Sequence, residues 1–209
     1  MQALAGAGGL TVAGVSASCS HDKDLCPHRY AIVHELIEVD PDNATPIVQS
    51  PLELDLMDAD ESRIVGRLEN KTLVVYDAAG EIQRVLRPGG RITAALLDGS
   101  TIVVLRGRLL ELYGLWSGRL LKRIRIGGFD QVVLRDAGNG LAVYTVGAVI
   151  HAFRFADGRD AALWIPRLAL PPRVLIVPSG LVVGAQLEGR GAIVGLISQS
   201  ELAAALAHR

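Results

Sequence analysis

A hairpin that recurs along the chain is the feature that most limits its fold. The segment 72–86, TLVVYDAAGEIQRVL, consists of an apolar run, a turn at Gly80 and a second run. The pattern returns at Gly118 (WSGR) and Gly158 (ADGR), at spacings of 38 and 40 residues. An upstream copy has Asn43 at the turn, and Asn tolerates the positive φ that such turns require. Self-similarity at this period indicates repeated supersecondary units.

A second series of turns lies between the hairpins. Its glycines, 41 and 40 residues apart, are Gly99, Gly140 and Gly180. Each of these turns joins two short runs rich in Val, Ile and Leu, as expected of β-strands. No helical segment separates the runs, which excludes a parallel sheet built of βαβ units. Each period therefore contains four strands.

Several strands are apolar throughout, as in TLVVY and RVLIV, and need cover on both faces. We therefore predict an all-β fold, a β-propeller built of about five four-stranded antiparallel units, with a short C-terminal helix. The single propeller-like domain over 1–209 would consist of units at roughly 1–50, 51–90, 91–128, 129–168 and 169–209.

The fifth unit is predicted to lack its outermost strand. Its third strand, AIVGLIS, leads into Ser200-Glu201 and an alanine-rich segment, the pattern of a helix start. The missing strand would come from the N-terminal stretch of the chain. Alternatively, a second copy would complete the ring, or the chain is a shortened relative of a longer propeller. The protein is expected to be a monomer or a ring-completing homodimer.

The repeat motifs within 52–198 include the hairpins VYDAAGE and FADGRD, the strand pairs LLDGSTIVVL and RDAGNGLAVY, and the tail PSGLVVGAQLEGRGAIVGLI. They resemble the degenerate WD-like and PQQ-like propeller repeats of uncharacterised secreted bacterial proteins. The resemblance implies an architecture and an extracytoplasmic location, and no particular activity. Quinone-cofactor repeats have a Trp at a fixed place in each unit, which this chain lacks, so no cofactor is implied.

Charge gives little indication of a partner. The net charge of −1 provides no reason to expect a nucleic acid or an anionic membrane. Nine acids and no base lie from Glu35 to Glu61, and six bases lie from Arg106 to Arg125 with Glu111 as the one acid. We expect solvated strand faces; complementary faces within the protein or between subunits are the alternative.

The first twenty residues contain no charge and four glycines. They therefore match neither a signal peptide nor a membrane-spanning helix. We predict a weak strand followed by a better one over 10–18. A lipoprotein-type cleavage before Cys19 is the alternative.

The insert CSHDKDLCPHR places Cys19, His21, Cys26 and His28 close together. A disulfide between Cys19 and Cys26 is the favoured interpretation, ahead of free thiols and of a metal site, because zinc knuckles are usually separated by a dozen or more residues. A disulfide implies an oxidising compartment. An extracytoplasmic location is therefore favoured, and a cytoplasmic one stays open.

Two other groups of titratable residues are interpreted as structural. Asp55, Asp58, Asp60 and Glu61 crowd one turn, which lacks the Gly of a calcium loop, so we predict a solvated turn and no metal. His151 alternates with apolar neighbours and is expected to be an ordinary strand residue.

No catalytic signature is present, so the leading expectation is a non-enzymatic scaffold that binds a protein, peptide or glycan. The alternative is an enzyme of the lyase or hydrolase type, or a sensor, with a site at the propeller axis. Candidate ligand-binding residues at the starts of the innermost strands are Arg91, Thr93, Asp130, Gln131 and Arg173.

Overall fold

The computed structural model describes residues 2–5, 11–18, 32–39, 44–50, 54–163, 171–187 and 191–207. The chain divides into two compact units, residues 1–97 and 98–209. The single domain predicted from the sequence remains a prediction. The insert with Cys19 and Cys26 lies outside the described residues.

Within these residues the strands form five antiparallel sheets, the first two within residues 1–97. In the first sheet the strands are β1 (Gln2–Ala5), β2 (Thr11–Ser18), β3 (Ile32–Val39) and β4 (Ala44–Ser50). In the second they are β5 (Leu54–Ala59), β6 (Arg63–Leu68), β7 (Thr72–Asp77) and β8 (Ile82–Leu86). The two strands predicted near the N-terminus are therefore confirmed. They belong to the first sheet, so the idea that they complete the fifth is wrong.

The remaining sheets follow in chain order. The third contains β9 (Ala94–Asp98), β10 (Thr101–Arg106), β11 (Leu109–Gly114) and β12 (Leu120–Arg125). The fourth contains β13 (Val132–Gly138), β14 (Leu141–Val146), β15 (Val149–Arg154) and β16 (Asp160–Leu163). The fifth has three strands, as predicted: β17 (Arg173–Val177), β18 (Gly180–Leu187) and β19 (Gly191–Ser198).

A single helix, α1 (Gln199–Ala207), ends the described chain. Ser198 and Glu201 form a reciprocal capping box at its start. The backbone N–H of Ser198 donates to Glu201 Oε2 at 2.8 Å, and the backbone N–H of Glu201 donates to Ser198 Oγ at 3.3 Å. The predicted terminal helix is confirmed, and it starts one residue earlier than the Ser200 expected from the sequence.

The turn glycines that define the repeat adopt left-handed backbone conformations. Gly80, Gly118 and Gly158 have φ values of 85°, 65° and 75°. At Gly80 a Cβ atom would lie 2.3 Å from the carbonyl oxygen of Ile47, so no other residue fits without a backbone shift. The glycine spacing therefore records a steric requirement of the hairpins.

The central strands are buried on both faces. Four consecutive residues of β10, Ile102 to Leu105, are each at most 1% exposed. Consecutive strand residues point to opposite faces, so both faces of this sheet are covered. In the second unit, one core cluster contains Val143 of β14 and Leu181 of β18 together with Leu202 of α1. The fourth and fifth sheets and the helix thus share one core.

Aspartates near the ends of first strands bond the backbone of the following repeat. Asp58 and Asp136 both follow a β-bulge. Asp136 Oδ2 accepts a hydrogen bond from the Ile176 N–H at 2.5 Å, which joins the fourth sheet to the fifth. Asp58 Oδ2 accepts from Leu97 N–H at 2.7 Å in the same way. Asp98, at the end of β9, accepts from the Gly140 N–H at 2.7 Å through Oδ2. The three aspartates are about one repeat apart, so they make the same contact in successive repeats.

The environment of Asp136 favours its neutral form. Burial raises the pKa of this carboxyl above its usual value, and the charge of Asp98 adds to the rise. Hydrogen bonds from the N–H groups of Ile176 and Ala137 oppose the shift without cancelling it. An uncharged group that can still accept these bonds should therefore be tolerated at this position.

We expect Asp136→Ala to lower the free energy of unfolding by about 1–3 kcal/mol, because the Ile176 N–H loses its acceptor. Asp136→Asn keeps an acceptor oxygen and should cost less. Urea denaturation followed by circular dichroism measures both. Asp157→Ala, which removes the exposed pair with Arg154, is the control and should cost less than Asp136→Ala. An Asp136→Ala variant as stable as this control would contradict the assignment.

Candidate ligand-binding cleft and buried polar clusters

A cleft of about 200 Å³ lies in the second unit where the fourth sheet, the fifth sheet and α1 meet. Its apolar lining comes from β14, β17 and α1: Leu141, Ile176, Val177, Leu202, Ala203 and Leu206. Its polar lining consists of Asn139, Arg154 and Gln199. An apolar depression with a few polar groups is the usual form of a small binding site.

The polar groups of the cleft are held by the fold. Asn139 lies in the turn between β13 and β14 with a φ of 55°. Gln199 anchors the start of α1, since its backbone N–H donates to the Ser179 carbonyl at 3.0 Å and its side chain donates to the Pro178 carbonyl. Arg154 donates from Nε and Nη2 to Asp157, at 3.0 and 2.5 Å. These bonds use two of its five N–H groups, so a ligand oxygen could take others.

The five residues predicted from the sequence are divided between the two units. Arg91 and Thr93 lie in the first unit, immediately before β9 and with exposed side chains. Asp130 and Gln131 precede β13 in the second unit, and Arg173 begins β17. A ligand-binding role for these residues stays a prediction.

The loop before β13 is fixed through its carbonyls. The Asp130 carbonyl accepts a hydrogen bond from Arg108 Nη1 at 2.8 Å, and the Gln131 carbonyl accepts one from the Gly147 N–H at 3.0 Å. Both bonds are accepted by main-chain carbonyls, so they do not involve the side chains of Asp130 and Gln131.

Arg135 lies at the bulge of β13 and was missed by the sequence analysis. Its Nε donates to Thr145 Oγ1 at 3.2 Å. Burial, and then the positive charge of Arg173, lower the pKa of Arg135. Two cations therefore lie near each other on neighbouring first strands. The one indication of this pair of cations in the sequence was a single Arg, Arg135, within an apolar strand.

Glu111 is the centre of a buried polar cluster in the third sheet. Its side chain is 0% exposed. Arg106 donates to both carboxylate oxygens at 2.7 Å, and Arg123 donates to Oε1 at 2.6 Å. Tyr113 Oη donates to Oε2 at 3.0 Å. The expectation of a solvated basic face is therefore wrong for Arg106, whose side chain is 14% exposed, whereas Arg123 binds the same carboxylate with a side chain that is 49% exposed.

The cluster controls the titration of Glu111. Burial alone would raise the pKa of this carboxyl, but the hydrogen bonds from Arg106, Arg123 and Tyr113 outweigh it and lower the pKa below its usual value. Glu111 therefore remains charged and fully hydrogen-bonded in the folded protein, a structural state with no proton available for transfer.

A second cluster joins Tyr144, His151 and Asp160 in the fourth sheet. Tyr144 Oη donates to Asp160 Oδ1 at 2.9 Å, and His151 Nδ1 lies 3.0 Å from Asp160 Oδ2. The Tyr144 and His151 rings stack with centroids 4.9 Å apart. Burial, and then the charge of Asp160, raise the pKa of Tyr144 well above its usual value. His151 is thus more constrained than the ordinary strand residue that was predicted.

The acidic turn after β5 is made of ion pairs. Arg67 binds Asp55 at 2.7 Å, and the Arg63 guanidinium binds Asp60. Asp60 Oδ1 also accepts from the N–H of Ser62 and of Arg63, at 3.0 and 2.9 Å. The expectation of a solvated turn is therefore incomplete, because Arg63 and Arg67 of β6 pair with Asp60 and Asp55.

No family model matches the sequence, and no curated protein matches it. The structure is similar to that of the computationally designed Ika8 protein, with 12% identity and a TM-score of 0.54 over 79% of this chain and 55% of the Ika8 chain. It is also similar to the designed Ika4 protein, with 13% identity and a TM-score of 0.50 over 70% of this chain and 92% of that one.

BamB from Moraxella catarrhalis is a further similar structure, with 18% identity and a TM-score of 0.49 over 91% of this chain and 66% of BamB. The chain thus spans about half the length of Ika8 and two thirds of BamB. The fold is a β-propeller of four-stranded antiparallel sheets with a short C-terminal helix, as predicted from the sequence. At these identities the likeness shows the fold alone. Among the described residues, no helix is both long and apolar enough to span a membrane.

We expect Glu111→Ala to destabilise the protein by about 3–5 kcal/mol, because it leaves Arg106 without its buried partner. Glu111→Gln should show a weaker pH dependence than the wild type. The lowered pKa of Glu111 stabilises the fold above the unfolded pKa of about 4.3, and this contribution is lost as the pH falls through the folded pKa. Denaturation from neutral to acidic pH measures it. Parallel pH curves for Glu111→Gln and wild type would contradict this role.

Proposed function

We propose that the protein is a non-enzymatic binding module that holds a short apolar segment of a partner, such as a peptide side chain, in the cleft between the fourth sheet, the fifth sheet and α1. The observation that carries this proposal is a lining that combines the apolar side chains of Leu141, Ile176 and Leu202 with the polar groups of Asn139 and Arg154. Burial of an apolar side chain there would supply affinity.

The size and polarity of the cleft favour a peptide. About 200 Å³ is below the usual volume of sites for drug-sized ligands and suits one or two side chains. The uncommitted N–H groups of Arg154 can donate to a main-chain carbonyl or to a carboxylate. A peptide supplies both the apolar side chain and these oxygens.

The state of the buried polar groups supports a scaffold over an enzyme. The Glu111 carboxylate is saturated by Arg106, Arg123 and Tyr113. Within the described part of the chain, His151 has Asp160 as its one hydrogen-bond partner. Catalytic groups need an open position toward substrate, and the buried Glu111 carboxylate has none. An enzyme or sensor site at the axis is the alternative.

An extracytoplasmic location belongs to the same proposal. It is supported by the resemblance of the repeats to WD-like and PQQ-like propellers of secreted bacterial proteins and by the spacing of Cys19 and Cys26.

The peptide proposal predicts that a displayed random peptide library yields binders whose affinity depends on the cleft. Ala203→Trp places an indole at a lining position and should weaken the selected peptides at least about tenfold. Ala204→Trp is the matched control, because Ala204 is an exposed residue of the same helix that does not line the cleft. No enriched binders, or binders unaffected by Ala203→Trp, would contradict the proposal.

The location proposal predicts that Cys19 and Cys26 form a disulfide in protein purified from an oxidising compartment. Intact mass after alkylation without reductant should then show no added groups, and two should appear after reduction. Alkylation of both thiols without reductant would contradict it.

A further inference from the structure

The outer strands of the sheets differ in how they protect their free edges. β12 carries Lys122, Arg123 and Arg125, and β16 has only four residues. Charge and shortness both discourage pairing with a foreign strand. β19 has neither protection, because it is eight residues long and its sequence, GAIVGLIS, contains no charge and no proline.

The side chains of β19 are apolar and exposed. Val194, Leu196 and Ile193 are 80%, 54% and 40% exposed. In the described part of the chain, β19 pairs with β18 alone, so its outer backbone groups have no strand partner. The other described sheets have four strands and this one has three. The open edge of β19 is therefore the place where a fourth strand is missing.

We propose that this gap is filled by β19 of a second copy of the chain, so that two copies pair antiparallel across a twofold axis. Charge favours this occupant. β19 has no ionisable side chain, so self-pairing brings no like charges together, whereas a charged strand would find no counter-charge on it.

A register centred on Gly195 satisfies the side chains of both copies. Val194 then lies opposite Leu196 of the second copy on one face, and Ile193 lies opposite Ile197 on the other. These four apolar side chains thus gain apolar cross-strand neighbours, and the two Gly195 residues face each other at the axis. Such cross-strand pairs are the unit of sheet stabilisation.

The rest of the sheet is compatible with this pairing. Leu175, Val182 and Leu196 form one cross-strand row, and Leu175 is 59% exposed. The exposed apolar face therefore continues across the axis into the second copy. α1 turns away from the edge, because Leu202 packs into the core shared by the fourth and fifth sheets. The inference does not rest on the proposed function of the cleft.

Sedimentation velocity of the full chain over a wide concentration range tests the pairing. The wild type should form a concentration-dependent dimer, and Val194→Lys should raise its dissociation constant at least about tenfold. Leu175→Lys is the matched control, because it adds the same charge to the same face two strands from the edge, and it should leave the dimer intact. A wild type that stays monomeric, or a dimer weakened by Leu175→Lys and not by Val194→Lys, would overturn the proposal.

Cysteine crosslinking tests the register. A Cβ atom added at Gly195 or at Gly184 meets no atom within 4 Å, so both positions accept cysteine. Residues directly opposite in an antiparallel pair have Cα atoms about 4.5–5.5 Å apart, within the range of a disulfide. Oxidised Gly195→Cys should give a covalent dimer, whereas Gly184→Cys on β18 should not. The wild type, with Cys19 and Cys26, sets the background. Equal crosslinking of both variants, or none of Gly195→Cys, would overturn the register.

Discussion

The structure depends on the burial of strands on both faces at once. In β10, and likewise from Ala142 to Thr145 in β14, consecutive side chains are almost fully buried. No single sheet can achieve this, since successive side chains point to opposite sides. Each sheet therefore needs a neighbour, and the shared core of Val143, Leu181 and Leu202 shows how the fourth sheet, the fifth sheet and α1 meet that need. Where such cover is missing, as at β19, apolar side chains such as Val194 are exposed to solvent.

Polar contacts hold neighbouring sheets in position. The sequence predicted the turns within each repeat but not these contacts between repeats. The turn glycines Gly80, Gly118 and Gly158 are local steric requirements, so their spacing predicted the hairpins and the four strands of each repeat. The bonds of Asp58 and Asp136 join residues about one repeat apart in the chain, which no local pattern specifies.

At the candidate site too, local features were predictable from the sequence, whereas the packing between elements was not. The helix was predicted from its capping residues and alanines, but the cleft it forms with Ile176 and Leu141 depends on where α1 packs, and that is a property of the assembled sheets. The basic segment around Glu111 was misread because a strand with alternating charges looks solvated when the burial of its one acid is unknown. A run of like charges therefore indicates solvent-exposed side chains only where no oppositely charged side chain of the same sheet can pair with them.

The fold depends on middle strands, such as β10 and β14, that are buried on both faces. A crystal structure of the protein tests this burial most directly. The account predicts four antiparallel sheets of four strands and one of three, with the Asp136 carboxylate bound to the Ile176 backbone N–H between the last two. Two layers packed face to face, with β10 and β14 each covered on one side and open to solvent on the other, would contradict it.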